Sequence, residues 1–399
     1  MRHTKGYAAE LGSGVLVSHD GSDLGGRIDE IQSRLAEWVG RRHAVLTGTG
    51  TAALSIACQL APPERPRILI PAICCPQVLF AVLYAGKVPV LVDITDRDAT
   101  LDPSRVADLL DADPGIGAVI AVHLYGHRAD IDSLSKLAAD KNVRVIEDAA
   151  QAFGGRHPDG RKFGAVGGLS VTSFGHSKIL DVGGGGLLLT DDDDLAARAR
   201  EHAQQLPLVA EAVVAQQAKN YSRLYYALWD ASLTDQKFLS VFNSFPALFQ
   251  SRFINAITGD LAEKISAAIP ELDRELEHRR ALYGEYLEAF RAIPSVKTFQ
   301  VDLQSIAPWR FSCRVPAKLR DRVLTEVRHE GYDASAWYPD LAMWSLAERD
   351  RADNSRPVAE VIGREVVNFW VTSNVTQNDV ARISQVVLRV LGGVNCDKH

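Results

Sequence analysis

The sequence predicts an α/β fold: a mostly parallel seven-stranded sheet sandwiched by helices, with a smaller C-terminal α+β domain. Three observations lead there. Short apolar runs alternate with helix-like segments from residue 43 to about 190. Most of those runs are rich in Val, Ile and Leu and lack a clean two-residue alternation, which is how strands buried on both faces read. After Leu206 the texture changes, and a shorter strand–helix–strand–helix pattern closes the chain.

The strand candidates are His43–Leu46, Arg67–Pro71, Val88–Ile94, Ala118–Leu124, Val143–Ala149, Leu169–Phe174 and Gly186–Thr190. Between them lie helices such as Leu101–Asp111 and Ile131–Lys141. Asp191–Asp194 opens a further helix running to about Gln205, where carboxylates suit the positive end of the helix dipole. Residues 207–255 are rich in rings: Tyr221, Tyr225, Tyr226, Trp229, Phe238, Phe242, Phe245, Phe249 and Phe253. They read as a cover over a site or subunit contact, or as core filling. A charged helix at Leu272–Phe290 follows. Trp309–Val315 and Val366–Val371 then read as strands, and Ala317–Glu330 and Gln377–Leu391 as helices. The expected division is a large domain over 1–260 and a small one over 261–399.

Composition bounds the function. The 399 residues carry a formal charge of −6, with 46% hydrophobic and 24% charged residues. That describes an ordinary globular protein and argues against nucleic-acid or anionic-membrane partners. No apolar run approaches the ~20 residues of a membrane span, and the first residues lack the apolar core of a secretory signal. Five cysteines, two of them adjacent, form neither a disulfide framework nor a Cys-x-x-Cys metal pattern. A reducing cytoplasm is the expected compartment, and no metal is expected.

Three motifs carry chemistry. In TSFGHSKILDVGGGG, Lys178 follows a strand at the sheet rim, where open α/β sheets gather ligands. An amine there can form a Schiff base with a carbonyl cofactor, or it is a surface lysine. In VIEDAAQAFG, Asp148 closes an apolar strand. It either faces a heteroaromatic nitrogen and keeps it protonated, or caps the next turn. Gln151 lies three residues on and could reach another ring substituent. In LTGTGTAAL, a strand enters a Gly/Thr turn and a helix of small residues. The helix start offers backbone N–H groups to a phosphate, with hydroxyls of Thr51 and Ser173 adding donors; a plain glycine turn is the alternative.

In this order the motifs resemble the DegT/DnrJ/EryC1/StrS family of fold-type-I pyridoxal-phosphate aminotransferases, mostly sugar aminotransferases. Val122–Gly126 (VHLYG), Glu147–Gln151 (EDAAQ), Ser173–Phe174 before the lysine and Trp337–Pro339 (WYP) are similar to family motifs. The resemblance implies that Lys178 holds pyridoxal 5′-phosphate and shuttles the substrate proton. It implies that Asp148 pairs with the pyridinium and Gln151 lies near the ring hydroxyl. Ser173, with the backbone of Gly50, Thr51 and Ala52, matches the phosphate cradle. Cys75 stands where the family commonly stacks an aromatic on the ring, and sulfur can pack there. Gly184 replaces a frequent acid. In the family's Asn-Tyr-Arg-Met segment, lent by the neighbouring subunit, Asn255 matches and the arginine is missing. His176, Arg310 and Tyr338 are candidates for substrate contact.

The function implied is transfer of an amino group, from glutamate, to a keto sugar, nucleotide-linked, or to a related natural-product ketone. The partners implied are that donor and acceptor, and a second copy in a homodimer. Two alternatives stay open at this stage: elimination, decarboxylation or carbon–carbon chemistry on an amino acid with the same cofactor, and a non-enzymatic cofactor-binding regulator.

Overall fold

The computed structural model describes residues 24–232, 244–343 and 355–392. Seven strands form the main sheet: β1 (His43–Thr47), β2 (Arg67–Pro71), β3 (Val88–Val92), β4 (Ile116–Val122), β5 (Arg144–Asp148), β6 (Leu169–Ser173) and β7 (Gly186–Thr190). Their order is β1-β7-β6-β5-β4-β2-β3. The pairs from β3 to β6 are parallel, and only β7 runs against its neighbours β6 and β1. Two antiparallel steps leave β1 pointing the same way as β6. Six carboxyl ends and the amino end of β7 therefore share one edge, where Gly186 pairs with both Thr47 and Ser173.

Helices cover both faces, as Val/Ile/Leu-rich strands require. Helices α2 (Gly50–Gln59) and α3 (Pro76–Tyr84) pack with Ile68, Ile70, Ile120 and Ile146 on one face. Helices α4 (Pro103–Ala112) and α5 (Ile131–Ala139) meet Leu69, Val90, Val119 and Val145 on the other. α1 (Leu24–Val39) closes the β1 end with Leu35 and Val39. Aspartates set several helix starts. Asp102, Asp130 and Asp192 accept from the N–H of Ser104, Ser133 and Leu195 at the heads of α4, α5 and α6 (Asp193–Gln204). The helix expected from Leu101 thus begins two residues later, because Leu101 bridges Ile94 and Asp102 is the cap. Of the four aspartates after β7, Asp191 stays outside α6 and pairs with Arg41 at 2.8 Å.

Beyond α7 (Glu211–Ser232), α8 (Gly259–Ala268) and α9 (Leu272–Arg291) lead to a second sheet. It consists of β8 (Lys297–Thr298), β9 (Phe311–Arg314), β10 (Ala334–Ser335) and β11 (Val366–Phe369), in the order β10-β11-β9-β8. Its core is Tyr286, Phe290, Phe311 and Phe369, joined by the apolar faces of α10 (Ala317–His329) and α11 (Gln377–Gly392). Ile265, Leu272 and Leu276 pack with α1 against the large sheet, while Leu282, Tyr286 and Phe290 pack in the core of the second sheet. One helix, α9, thus serves both cores, and later residues such as Ala307, Trp309 and Tyr338 return to the cores around the large sheet. Among the described residues no helix is long and apolar enough to cross a membrane.

The ring-rich segment does both things its composition allows. Tyr221, Tyr225, Phe245, Phe249 and Phe253 are buried in the core cluster of α2 and α3, and Tyr221 and Tyr225 also line the cleft described next. Phe238 and Phe242, and the side chains of Tyr226 and Trp229, lie outside the described residues.

Candidate active site

A cleft of about 830 Å³ opens at the shared carboxyl edge of the sheet. Asp148 forms its floor. The end of β5 places it there, 3% exposed. Its Oδ1 accepts the Ala150 N–H at 2.8 Å, the turn-capping bond expected of a strand-end aspartate. Its Oδ2 has no hydrogen-bond partner among the described residues. Burial pushes the carboxyl up from its ordinary value, while the Ala150 N–H and the Lys178 ammonium pull it down. A buried carboxylate with one oxygen unmatched is an unfinished site.

Lys178 faces the same space, half-buried, four residues past Phe174 at the rim. Its Nζ makes no hydrogen bond or ion pair among the described residues. The loop that carries it is tied at several points. Ser177 takes a left-handed φ of 65°. Its N–H donates to Asp181 at 2.7 Å, and its carbonyl accepts the indole N–H of Trp309 at 2.8 Å. Asp181 also accepts the Gly183 N–H at 3.0 Å and faces His176 Nδ1 at 3.3 Å.

The cradle is built from α2 and β6. Gly50 and Thr51 open α2, where N–H groups have no intrahelical acceptor, and both line the cleft beside Ser173. Gly50 is obligatory: a Cβ there would sit 2.6 Å from the Ser173 Cβ. Gly186 is obligatory for the same reason, since its Cβ would stand 2.2 Å from the Thr49 carbonyl oxygen. Ala52 departs from its expected place. It is fully buried, does not line the cleft, and its N–H is held by the Thr49 hydroxyl at 3.0 Å. The helix cap takes the donor that the resemblance assigns to phosphate.

The remaining candidates form the walls. The Gln151 carbonyl accepts the Tyr125 N–H at 2.9 Å, and its amide donates to the Tyr338 hydroxyl at 3.0 Å. One amide hydrogen is thereby left toward the cleft. Cys75 is half-buried, with its thiol on Gln77 and against Tyr338. Its neighbour Cys74 is fully buried, and burial pushes that thiol well up, which makes it inert. Arg310 is stacked between Trp309 and Trp370, 4.4 and 4.0 Å from the ring centres, and donates to the Ser335 hydroxyl. His176 is an exposed side chain at the mouth.

Some wall residues escaped the reading of the sequence. Trp309 pins the lysine loop from the small unit. Asn255, by contrast, was singled out in the sequence; it packs its side chain over Gly48 in its own chain, and its backbone carbonyl accepts the Gly48 N–H at 2.9 Å. Arg252 lines the cleft from a short helical turn, Gln250–Phe253. The ring-rich composition of 207–255 was the one signal for this wall; nothing in its spacing marks the arginine.

Under the floor, Glu147 presents the opposite picture. Oε1 faces His123 Nε2 and His157 Nε2 at 3.0 Å each and accepts the Gly164 N–H at 2.8 Å. Oε2 accepts Val166 and Gly167 N–H groups and the Ser170 hydroxyl at 3.0 to 3.2 Å. His123 Nδ1 accepts the Ala129 N–H at 2.9 Å, so its Nε2 carries the proton and donates. The two histidines and Glu147 lie close enough to ligate an ion, but donors already occupy both carboxylate oxygens.

The family described as DegT/DnrJ/EryC1/StrS aminotransferases matches residues 11–226 and 261–388. This chain belongs to the DegT/DnrJ/EryC1/StrS family. One similar relative is a dTDP-3-amino-3,4,6-trideoxy-alpha-D-glucose transaminase of Streptomyces venezuelae, 26% identical over 91% of this chain and 87% of that protein. A GDP-perosamine synthase of Caulobacter vibrioides is 36% identical, over 45% of this chain and 48% of its own. The first curated relatives are thus matched over half their length or less, from 34% to 48%. Among solved structures, S. venezuelae DesV in complex with a ketimine intermediate superposes with a TM-score of 0.72. It is 24% identical, over 91% of this chain and 88% of that one. The fold is therefore that of the DegT/DnrJ/EryC1/StrS enzymes, whose cofactor is pyridoxal phosphate. The cleft fits such a group: an unmatched carboxylate oxygen on the floor, an unpaired amine at the rim, and a glycine-lined helix start opposite.

Proposed function

We propose that this protein is a pyridoxal-phosphate-dependent aminotransferase, moving an amino group from glutamate to a keto sugar, nucleotide-linked, or a related natural-product ketone. The observation that carries this reading is the pairing of the half-satisfied Asp148 with the unpaired Lys178 across one cleft. The sugar is supported by the names of relatives: the S. venezuelae transaminase is named for a dTDP-linked amino sugar and the C. vibrioides synthase for a GDP-linked one. Bound in this cleft, pyridoxal phosphate supplies a pyridinium ring that accepts the electrons released when a substrate C–H bond breaks.

The chain's residues do the rest. Asp148 Oδ2 would accept the ring N–H and keep that nitrogen protonated, effective because the site is buried. Lys178 Nζ would hold the cofactor and serve as general base and acid. Gly50 and Thr51 N–H groups and the Ser173 hydroxyl would hold the phosphate. Gln151, steadied by Tyr125 and Tyr338, would donate to the ring hydroxyl. Cys75 would pack on the ring, and Trp309 and Asp181 fix the lysine loop from either side.

The working form is a cytoplasmic homodimer. Exposed Leu208 and Leu248, at 78% and 56%, support a covering partner, and the free thiols of Cys58, Cys74, Cys75 and Cys313 support a reducing compartment. The test is an absorbance spectrum of cofactor-loaded protein with and without glutamate. A visible cofactor band that glutamate bleaches is expected, and Lys178→Ala removes the covalent band. A band that glutamate leaves untouched, with glutamine and other amino donors equally inert, sinks amino transfer.

A further inference from the structure

Residues 227–260 lie between the two stretches that the family matches. This interval contributes a side chain to the cleft that the proposed reaction does not use. Arg252 lays its guanidinium across the rings of Tyr221 and Phe253, 5.6 and 5.4 Å from their centres. Its Nε is buried without a hydrogen-bond partner. No carboxylate pairs with it among the described residues, and burial pulls its pKa down with only Tyr221 opposing.

The charge persists, because a guanidinium is not deprotonated in proteins. A desolvated cation without a counter-charge is costly, and aromatic faces offset only part of that cost. The surroundings add positive charge. His176, at the mouth, feels both Arg252 and Arg310 as like charges. Asp181 is committed to His176 and to the N–H groups of Ser177 and Gly183. Among the described residues no counter-ion is paired with Arg252.

We propose that Arg252 is an oxyanion receptor in the cleft wall, binding a carboxylate or phosphate group of the substrate. The planar fork of five donors suits both groups, which share a flat or trigonal face of anionic oxygens. The inference rests on the aminotransferase reading for its substrates: a carboxylate would come from the amino donor, a phosphate from a nucleotide-linked acceptor. It adds a specificity residue placed on a stretch outside the family match.

The test is calorimetric titration of the cofactor-loaded protein with two probes, maleate and inorganic pyrophosphate. At least one should bind saturably, and Arg252→Gln should weaken that binding about 10- to 100-fold, the loss of one charge-assisted pair. Arg252→Lys should retain part of it. Weakening for maleate alone assigns the site to the donor carboxylate; for pyrophosphate alone, to the acceptor phosphate; for both, to a shared oxyanion site. Probe binding that is equal in wild type and Arg252→Gln, with an unchanged cofactor band, overturns the proposal. So does a wild-type protein that binds neither probe. Should the variant fail to fold, phenylglyoxal labelling of the wild type gives the answer by peptide mass spectrometry. The probe that binds must protect Arg252, and labelling of Arg252 that no probe slows rejects the site. Neither readout needs turnover, so a protein inert toward glutamate would still decide the role of Arg252.

Discussion

Glu147 and Asp148 are consecutive residues of one buried strand, and their surroundings differ as much as two carboxylates can. Glu147 faces six donors, three on each oxygen, and is held well below the usual carboxylate range by His123, His157 and backbone N–H groups. Asp148 has a single N–H on one oxygen and is pushed upward by burial. Alternation along a strand sends them to opposite faces. One face is closed by the 155–170 loop and α1; the other opens on the cleft. Buried polar groups in native structures are satisfied, and an exception marks either strain or an absent ligand. The saturated acid has both oxygens engaged, and the unsaturated acid keeps one oxygen free toward the cleft.

The comparison breaks most sharply by removing one charge from each side. Asp148→Asn should lower amino-transfer turnover by about 100- to 10,000-fold, in the range of losing an acid–base or electrostatic partner. It should leave the stability of the cofactor-free protein unchanged or raised by about 1 kcal/mol. The sign follows from the raised pKa: an ionised, poorly matched carboxylate costs stability above its unfolded pKa, and asparagine does not ionise. Steady-state kinetics and chemical denaturation of one preparation give both numbers. Glu147→Gln should do the reverse in kind. It turns one three-donor acceptor into an amide NH₂ facing donors, and should destabilise folding by about 3–5 kcal/mol. The wild type should lose this contribution as pH falls through the depressed pKa of Glu147, and the variant should lack that acid step. Equal denaturation midpoints for wild type and Glu147→Gln would remove the structural role.

Much of this was legible in the chain. Asp148 and Lys178 each stand where an apolar run ends, and a parallel sheet sends such ends to one edge. The Gly/Thr turn was legible as a strand entering a helix of small residues, and Gly50 and Thr51 do line the cleft. Ala52 was not placed, because Thr49, the cap residue just before the helix, competes for its N–H, a side-chain choice that backbone pattern does not reveal. The sharing of α9 between two cores was not legible for a different reason: the helix presents Leu276 to one core and Leu287 to another, and periodicity reports a buried stripe without saying against what. Trp309 and Arg252 come from distant segments, 132 residues from Ser177 in the first case. Such pairs are set by how the two units meet, and no local signal carries that.

The smallest effect concerns the rim, where the comparison has a third carboxylate, exposed and fully engaged. Asp181 joins His176 to the lysine loop, and the hydrogen bond to Asp181 raises the His176 pKa while Arg310 and Arg252 oppose it. A histidine with a raised folded pKa contributes stability that is fully present below its unfolded pKa and is lost as pH rises through the folded value. Asp181 is depressed, so its own contribution is lost as pH falls through its folded value. The pair therefore orders the loop between those two limits. Because the His176 side chain is 81% exposed, solvent screens the pair and the effect on global stability should be small, within about 1 kcal/mol. The loop is the better place to look. Hydrogen exchange at the Ser177 and Gly183 amides should quicken as pH rises through the His176 titration, after correction for the intrinsic rate. In His176→Asn that extra step should vanish while the amides stay bonded to Asp181. An identical pH course in both proteins would show that Asp181 holds the lysine loop through its backbone bonds alone.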